Sequence, residues 1–266
     1  MSDFLKFIEP YLKFHHEGLI KGGVSGTDSF MAVQILVLIG CSIIGYLLGS
    51  INFGMVLSKI YGKDVRTEGS GNAGATNVTR VFGKKAGRLT FFGDFFKSVI
   101  ATYLGMMLWG IVGAYIAGIF CVIGHAYPLY FGFKGGKGVA CIAAVGLVTT
   151  PLVFLVCLIA FGLILLWFKM VSFASVMTMV IYPFVVYTFY NFVNGFIYNA
   201  LIDAGEAENV ALAVAMPFSP LSRVLFAFIL AAFVVFLHRK NIVRIFNHEE
   251  PKISLGKKKD KANEKQ

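Results

Sequence analysis

Long apolar runs, broken only by short polar segments, limit this chain more than any other feature. They lie near 31–60, 89–109, 111–133, 138–150, 151–168, 172–190 and 221–237. A bilayer core of roughly 30 Å needs about 20 apolar residues in helical form. Of the 266 residues 57% are hydrophobic and 14% charged, against roughly 25% charged in an ordinary soluble domain. This balance suits a chain whose solvent is mostly lipid. The expected fold is an all-α integral membrane protein with seven transmembrane helices, forming one domain over residues 31–250.

The run from Val139 to Phe168 is too long for one untilted span, and Thr149, Thr150 and Pro151 interrupt it. A proline removes a backbone donor and crowds the preceding turn, so two helices are expected to meet there. Charge then orients the bundle. Lys63, Arg66, Arg80, Lys84, Lys85 and Arg88 follow the first run, and basic residues in short loops favour the cytoplasm. With the N-terminus outside, seven crossings also bring the linkers holding Lys134 and Lys137, then Lys169 and Ser172, and the tail from His238 to the cytoplasmic side. The loop expected around 191–217 carries Asp203, Glu206 and Glu208 without Lys or Arg, and falls outside. An even number of crossings would separate the basic tail from the basic first loop.

Residues 1–30 form an N-terminal extension. Asp3, Lys6, Glu9 and Lys13 argue against a signal peptide. Phe4, Leu5, Phe7, Ile8 and Leu12 suggest an interfacial amphipathic helix that Pro10 interrupts. Residues 251–266 read as a basic disordered tail near anionic lipid. The formal net charge of +10 is carried at segment ends and in this tail, which favours lipid headgroups and a phosphorylated substrate over nucleic acid. Cys41, Cys121, Cys141 and Cys157 stand singly in apolar runs without ligand-like spacing. They are expected to pack, and no metal site is expected.

Three polar segments carry chemistry. In the first, Gly69 to Arg80, glycines alternate with Ser70, Asn72, Thr76 and Asn77. Such a backbone turns tightly and directs N–H groups, hydroxyls and amides at an anion, and Arg80 can add a bidentate phosphate contact. A flexible connecting loop is the plainer alternative. The second runs from Gly124-His125-Ala126-Tyr127-Pro128 to Phe133-Lys134-Gly135-Gly136-Lys137-Gly138. It is not a nucleotide-binding P-loop, since Gly138 stands where Ser or Thr is required. Lys134 and Lys137 can supply point charges, and the glycines backbone donors, or the pair can simply anchor the cytoplasmic side. In the third, His238 and Asn241 lie three apart on one helical face, with Arg239 and Arg244 nearby. An interfacial histidine without chemical function has the same appearance.

Asp94 and Lys97, three apart inside an apolar run, can pair with each other. Intramembrane ionisable groups mark function, and structural support of the anion site is their expected role. Ser172 and Ser175 either donate from a helix N-terminus or serve as a cap and a packing serine.

Together these segments resemble the bacterial acyl-phosphate-dependent glycerol-3-phosphate acyltransferases, the PlsY family. The resemblance rests on Gly49, Ser50 and Gly54, the run from Gly69 to Arg80, Asp94 with Lys97, GHAYP and FKGGKG, Val171 to Ser175, and His238 to Arg244. It implies seven helices with the N-terminus outside, in the cell membrane. It implies transfer of a fatty acyl group from acyl phosphate to the 1-hydroxyl of sn-glycerol 3-phosphate, giving lysophosphatidate and phosphate. Neither metal nor coenzyme A is implied, and no cofactor or obligate protein partner is called for. By motif it assigns catalysis to His238, Asn241, Ser172 and Lys137, and phosphate binding to Ser70 and Arg80. Gly71, Asn72, Asn77, Lys134 and Arg239 are secondary binding candidates. The extension through Phe30 and the 191–217 segment depart from the family pattern without touching a motif.

The alternatives are an anion transporter and an acyltransferase with another donor. Transporters favour internal repeats with broken helices near the midplane, whereas the polar motifs here gather at one face. The HxxxxD motif of soluble-type acyltransferases is absent, because Tyr130 and Val243 occupy the required positions after His125 and His238.

Overall fold

The first apolar run is not one helix. Helix α1 (Phe30–Ser50) stops at Ile51, and α2 (Phe53–Ile60) starts afresh with Asn52 as its cap. The Asn52 Oδ1 accepts from the Met55 N–H at 3.1 Å, replacing a bond that the first turn of any helix lacks. The computed structural model describes residues 18–20, 30–203 and 220–253, which form helices and connecting turns. The interfacial helix expected at 4–12, Glu206, Glu208 and the lysine-rich tail lie outside the described residues.

A loop leads to α3 (Ala75–Phe82) and then to α4 (Lys84–Ala126). Helix α4 is a hairpin: Trp109 and Gly110 leave helical geometry, and Gly110 takes φ 57°. Its arms run antiparallel, bringing Asp94 beside His125 and Ser98 beside Cys121. The expected division into runs ending near 109 and starting near 111 corresponds to this reversal. Helices α5 (Val139–Thr149) and α6 (Pro151–Phe168) meet at Thr150–Pro151, as the proline suggests. Helix α7 covers Val171–Asp203, α8 Pro220–Leu237 and α9 Arg239–Phe246, with a 61° bend between the last two.

One boundary differs clearly from the sequence expectation. Residues 191–203 continue α7 instead of opening the outer loop. Asn191, Asn194, Gly195 and Asn199 suggest a break, but Phe189, Phe192 and Phe196 keep an apolar helical spacing through them, and Tyr190 packs beneath the Arg223 guanidinium of α8 at 4.0 Å. Four described segments, 30–60, 84–131, 151–168 and 171–200, are long and apolar enough to cross a bilayer, or five with α8 and α9 joined. The hairpin counts once in that tally, and α5 is short at 11 residues. Helix α6 buries little, with Leu163 63% and Trp167 84% exposed; such a surface requires an apolar surrounding.

Helix α1 lies against the second arm of α4 at backbone distance. A Cβ on Gly49 would fall 2.1 Å from the Cys121 carbonyl oxygen, so only glycine fits. Beside this contact lies a buried polar cluster, with Asp94 2%, Lys97 6% and His125 3% exposed. The Lys97 Nζ pairs with Asp94 at 2.8 Å and donates to the carbonyls of Gly49 at 2.9 Å and Ile51 at 2.7 Å. The expected Asp94–Lys97 pair is therefore present, and it also caps the end of α1. Asp94 Oδ1 accepts from the Phe53 N–H at 3.3 Å, and the Asn52 amide donates to the His125 carbonyl at 3.3 Å. The four cysteines are free and buried, as packing residues are expected to be.

Replacing Lys97 with Met leaves Asp94 buried without its cation and strips two carbonyls of their donor. Breaking one partner of a buried pair costs about 3–5 kcal/mol. Thermal unfolding in mild detergent should show a large drop in midpoint; an unchanged midpoint would remove the cluster from the account of stability.

Candidate active site

The polar loops meet at one end of the bundle around a cavity of about 180 Å³. The first loop is built by its own side chains. The Arg66 guanidinium is clasped by Asp64 at 2.7–3.1 Å and donates to the carbonyls of Phe131 at 2.9 Å and Lys134 at 3.1 Å. It thereby pins the first basic loop to the glycine-rich linker. Asn77 is 2% exposed; its Oδ1 accepts from the Ser70 N–H, and its amide donates to the carbonyls of Val65 and Glu68. Both ends of this amide are engaged by the loop backbone, so Asn77 shapes the loop. Asn72 accepts from the Gly74 N–H at 3.2 Å in a local turn. Ser70, Asn72, Asn77 and Arg80 all line the cavity.

The glycines of the second segment have a different purpose from the expected phosphate donors. The N–H groups of Gly135 and Gly136 bond the carbonyls of Ala126 and His125 at 3.0 and 3.1 Å. A Cβ on Gly136 would lie 2.2 Å from His125 Nε2. The segment is glycine-rich because it packs on His125, and this contact positions Lys137 over the cavity.

Lys137, Ser172, His238, Asn241 and Arg244 share that wall. Asn241, 3% exposed, connects most of them. Its Oδ1 accepts from Lys137 Nζ, and its amide donates to Ser172 Oγ at 2.9 Å and Glu250 at 2.7 Å. Burial pushes the Lys137 ammonium down to about 8; the Arg244 and Arg80 cations act in the same direction and Glu250 opposes them. His238 stands at the α8–α9 bend, 2% exposed. Its Nδ1–H donates to the Val234 carbonyl at 2.9 Å. In the neutral ring that bond leaves the basic lone pair on Nε2. Ser175 Oγ donates to the Val171 carbonyl at 2.9 Å, the packing form of its two readings.

Glu250 is the residue that sequence reasoning missed. After α9, His248 takes φ 58° and turns the chain back, and the Ile253 N–H bonds the Lys169 carbonyl at 2.7 Å. The Glu250 carboxylate accepts from Ser172 at 2.5 Å and Asn241 at 2.7 Å, and pairs with Arg244 at 3.0 Å. Burial alone would raise its pKa, but these hydrogen bonds and the Arg244 cation outweigh it, and the net shift is downward. The local signal was Asn247-His248, a helix stop from which a nearby acid can fold back.

Asp94 and His125 reach the cavity floor, while Lys97 stays behind them. Gly71, Lys134 and Arg239 do not line the cavity. Arg239 is exposed with its guanidinium over the Phe236 ring at 4.5 Å, and Lys134 is exposed with its backbone carbonyl bonded by Arg66. The lining includes the cations Arg80, Lys137 and Arg244, the last paired with Glu250, together with serine hydroxyls, asparagine amides and the His238 imidazole, groups that suit phosphate oxygens.

Residues 39–248 match the family described as "Glycerol-3-phosphate acyltransferase". The chain belongs to this family. Over 210 residues it is 38% identical to the glycerol-3-phosphate acyltransferase of Aquifex aeolicus (strain VF5), covering 78% of this chain and 95% of the relative. Identity to the Geobacillus kaustophilus (strain HTA426) protein of the same name is 38%, over 79% of this chain and 93% of that one. Among solved structures, the glycerol 3-phosphate form of PlsY (YgiH), an integral membrane glycerol 3-phosphate acyltransferase, superposes with TM-score 0.64 at 36% identity. That match covers 82% of this chain and 96% of the other. The lysophosphatidic acid form of the same protein gives TM-score 0.63 at 35% identity, over 82% and 95% of the two chains.

Replacing Glu250 with Ala in this family member frees Ser172 and Asn241 and leaves Arg244 unpaired. Hydrogen bonds to charged groups contribute about 1.5–3 kcal/mol each. Hydrogen exchange should therefore accelerate in α9 before it does in α4. Uniform protection in the variant and the parent would contradict this role.

Proposed function

We propose that the protein transfers a fatty acyl group from acyl phosphate to the 1-hydroxyl of sn-glycerol 3-phosphate, releasing lysophosphatidate and phosphate. The observation that carries this reading is the union of two cavities. Phe91, Val139, Phe161 and Ser175 line both the cationic cavity and an apolar groove of about 160 Å³ between α5, α6 and α7. A phosphate bound beside an extended hydrocarbon chain fits this pair, and the relatives' names and bound forms support the acceptor and the product.

The bundle crosses the cell membrane seven times in this reading, the two α4 arms counting separately and α5 crossing as a short helix. The site shares its end of the bundle with Lys63, Arg66, Lys84, Lys85 and Arg88, and basic loops favour the cytoplasmic side. Glycerol 3-phosphate then arrives from water and the acyl donor from the bilayer.

Acyl phosphate is a mixed anhydride with a good leaving group. The protein's contribution is therefore to hold two phosphorylated molecules in line and to stabilise charge at the carbonyl. One phosphate sits with Ser70 and Arg80, the other with Lys137 and with Ser172 and Asn241, whose donors exchange the Glu250 carboxylate for phosphate oxygen. The acceptor hydroxyl attacks the acyl carbon, its proton passes to His238 Nε2, and the carbon–oxygen bond to phosphate breaks. The bond from His238 Nδ1 to Val234 sets the tautomer that this transfer needs.

Purified protein in lipid should form lysophosphatidate from glycerol 3-phosphate and palmitoyl phosphate, and form none when palmitoyl-CoA is the donor. Uptake of labelled glycerol 3-phosphate by proteoliposomes, without acyl transfer, would instead indicate transport. Replacing His238 with Ala should lower kcat by about 10²–10⁴, the usual contribution of a general base; a rate within twofold of the parent would end the base assignment.

The pH dependence follows from Lys137. Its pKa is lowered to about 8, so the free enzyme carries this cation below that pH and loses it above. Substrate phosphate gains its second charge above about pH 6. The kcat/KM for glycerol 3-phosphate should rise through about pH 6 and fall through about pH 8. In Lys137→Arg the alkaline fall should disappear, because guanidinium stays charged; an alkaline limb retained by that variant would assign the fall to another group.

A further inference from the structure

The apolar groove has one bare position deep in its wall. We infer that Gly146 is a specificity-determining residue: the absence of a side chain there sets how far the groove extends, and so the longest acyl chain that is handled well. This rests on the proposed use of the groove for the acyl chain. Val139, at the start of α5, lines both cavities, and Gly146 lies seven residues further along the same helix. At 1.5 Å per residue it is about 10 Å deeper.

Packing does not require a glycine at this position. A Cβ built on Gly146 meets only Phe154, at 3.7 and 3.8 Å, which is ordinary contact. Gly105 and Gly113 differ: a Cβ there would lie 2.3 and 2.2 Å from backbone oxygen across the α4 hairpin. Gly146 also lacks the positive φ that favours glycine elsewhere in the chain. Glycine weakens the interior of a helix, and α5 has only 11 residues over which to offset that. Open space in the groove accounts for the missing side chain. A larger residue at 146 would project toward Phe154 and the facing wall at Thr178 and Tyr182, shortening the groove while leaving its mouth intact.

The test compares the parent with Gly146→Ala and Gly146→Leu, each as the full chain in lipid. The kcat/KM is measured with decanoyl, myristoyl, palmitoyl and stearoyl phosphate, and binding with the corresponding lysophosphatidates. Gly146→Leu should lower the palmitoyl-to-decanoyl ratio by at least about tenfold, the lower end of the scale for one methylene excluded from an apolar pocket. Gly146→Ala should shift it less and in the same direction, with the KM for glycerol 3-phosphate within about twofold in both variants, since neither alters the polar wall. If the leucine variant fails to fold, the alanine variant decides alone. Equal changes at every chain length, or none, overturn the inference while leaving acyl transfer standing. Should the parent use no acyl phosphate yet bind lysophosphatidates with a length preference that the variants shift, the donor reading fails and the role of Gly146 holds.

Discussion

The pairing of Lys97 with Asp94 and with the carbonyls of Gly49 and Ile51 is the contact on which the rest of the architecture depends. Inside a bilayer no water is available for an interrupted helix, and each unsatisfied backbone group costs several kcal/mol. The break at Ile51–Asn52 is tolerated because an ammonium group supplies donors to the carbonyls at the end of α1. Asp94 compensates that charge and accepts from the first N–H of α2. Past the break, α2 leads into the loop with Ser70 and on to Arg80 of α3, both of which line the cavity. His125 joins this cluster to the linker that carries Lys137, through its contact with Gly136.

The site thus has a graded construction. Its floor is a buried, paired ionic cluster, its walls are polar side chains linked through Asn241, and its rim carries the exposed cation Arg80. Catalysis by positioning and electrostatics needs donors whose directions are fixed before substrate arrives. Arg66 and Glu250 provide this from opposite sides, the first tying two loops together and the second tying the chain after α9 to the start of α7.

Much of this was legible in the sequence, for reasons that can be stated residue by residue. The turn at Pro151 follows from a missing backbone donor, and the gathering of the three polar segments follows from basic charge at alternate ends of apolar runs. His238 and Asn241 share a wall as their spacing implies. Other parts depend on contacts distant in sequence. Composition does not distinguish a glycine that cradles phosphate from one that makes room for an imidazole, and Gly136 is of the second kind. Asn77 resembles a ligand until its amide is found bonded to Val65 and Glu68. Glu250 was hidden because its value arises only when His248 reverses the chain, and α7 reaches Asp203 because helical apolar spacing persists among residues that otherwise suggest a turn.

The reversal at Trp109–Gly110 also bears on how the polypeptide is made. Asp94 and Lys97 lie on one arm of α4 and His125 on the other. The first arm alone would expose the Asp94–Lys97 pair to hydrocarbon. Two arms that close on each other at synthesis can enter the bilayer as one unit, with the ionic groups already turned inward and the phenylalanines of the first arm turned outward. The tight turn that joins the arms is then a feature of biogenesis as much as of the finished enzyme, because it allows a polar centre to be delivered into lipid.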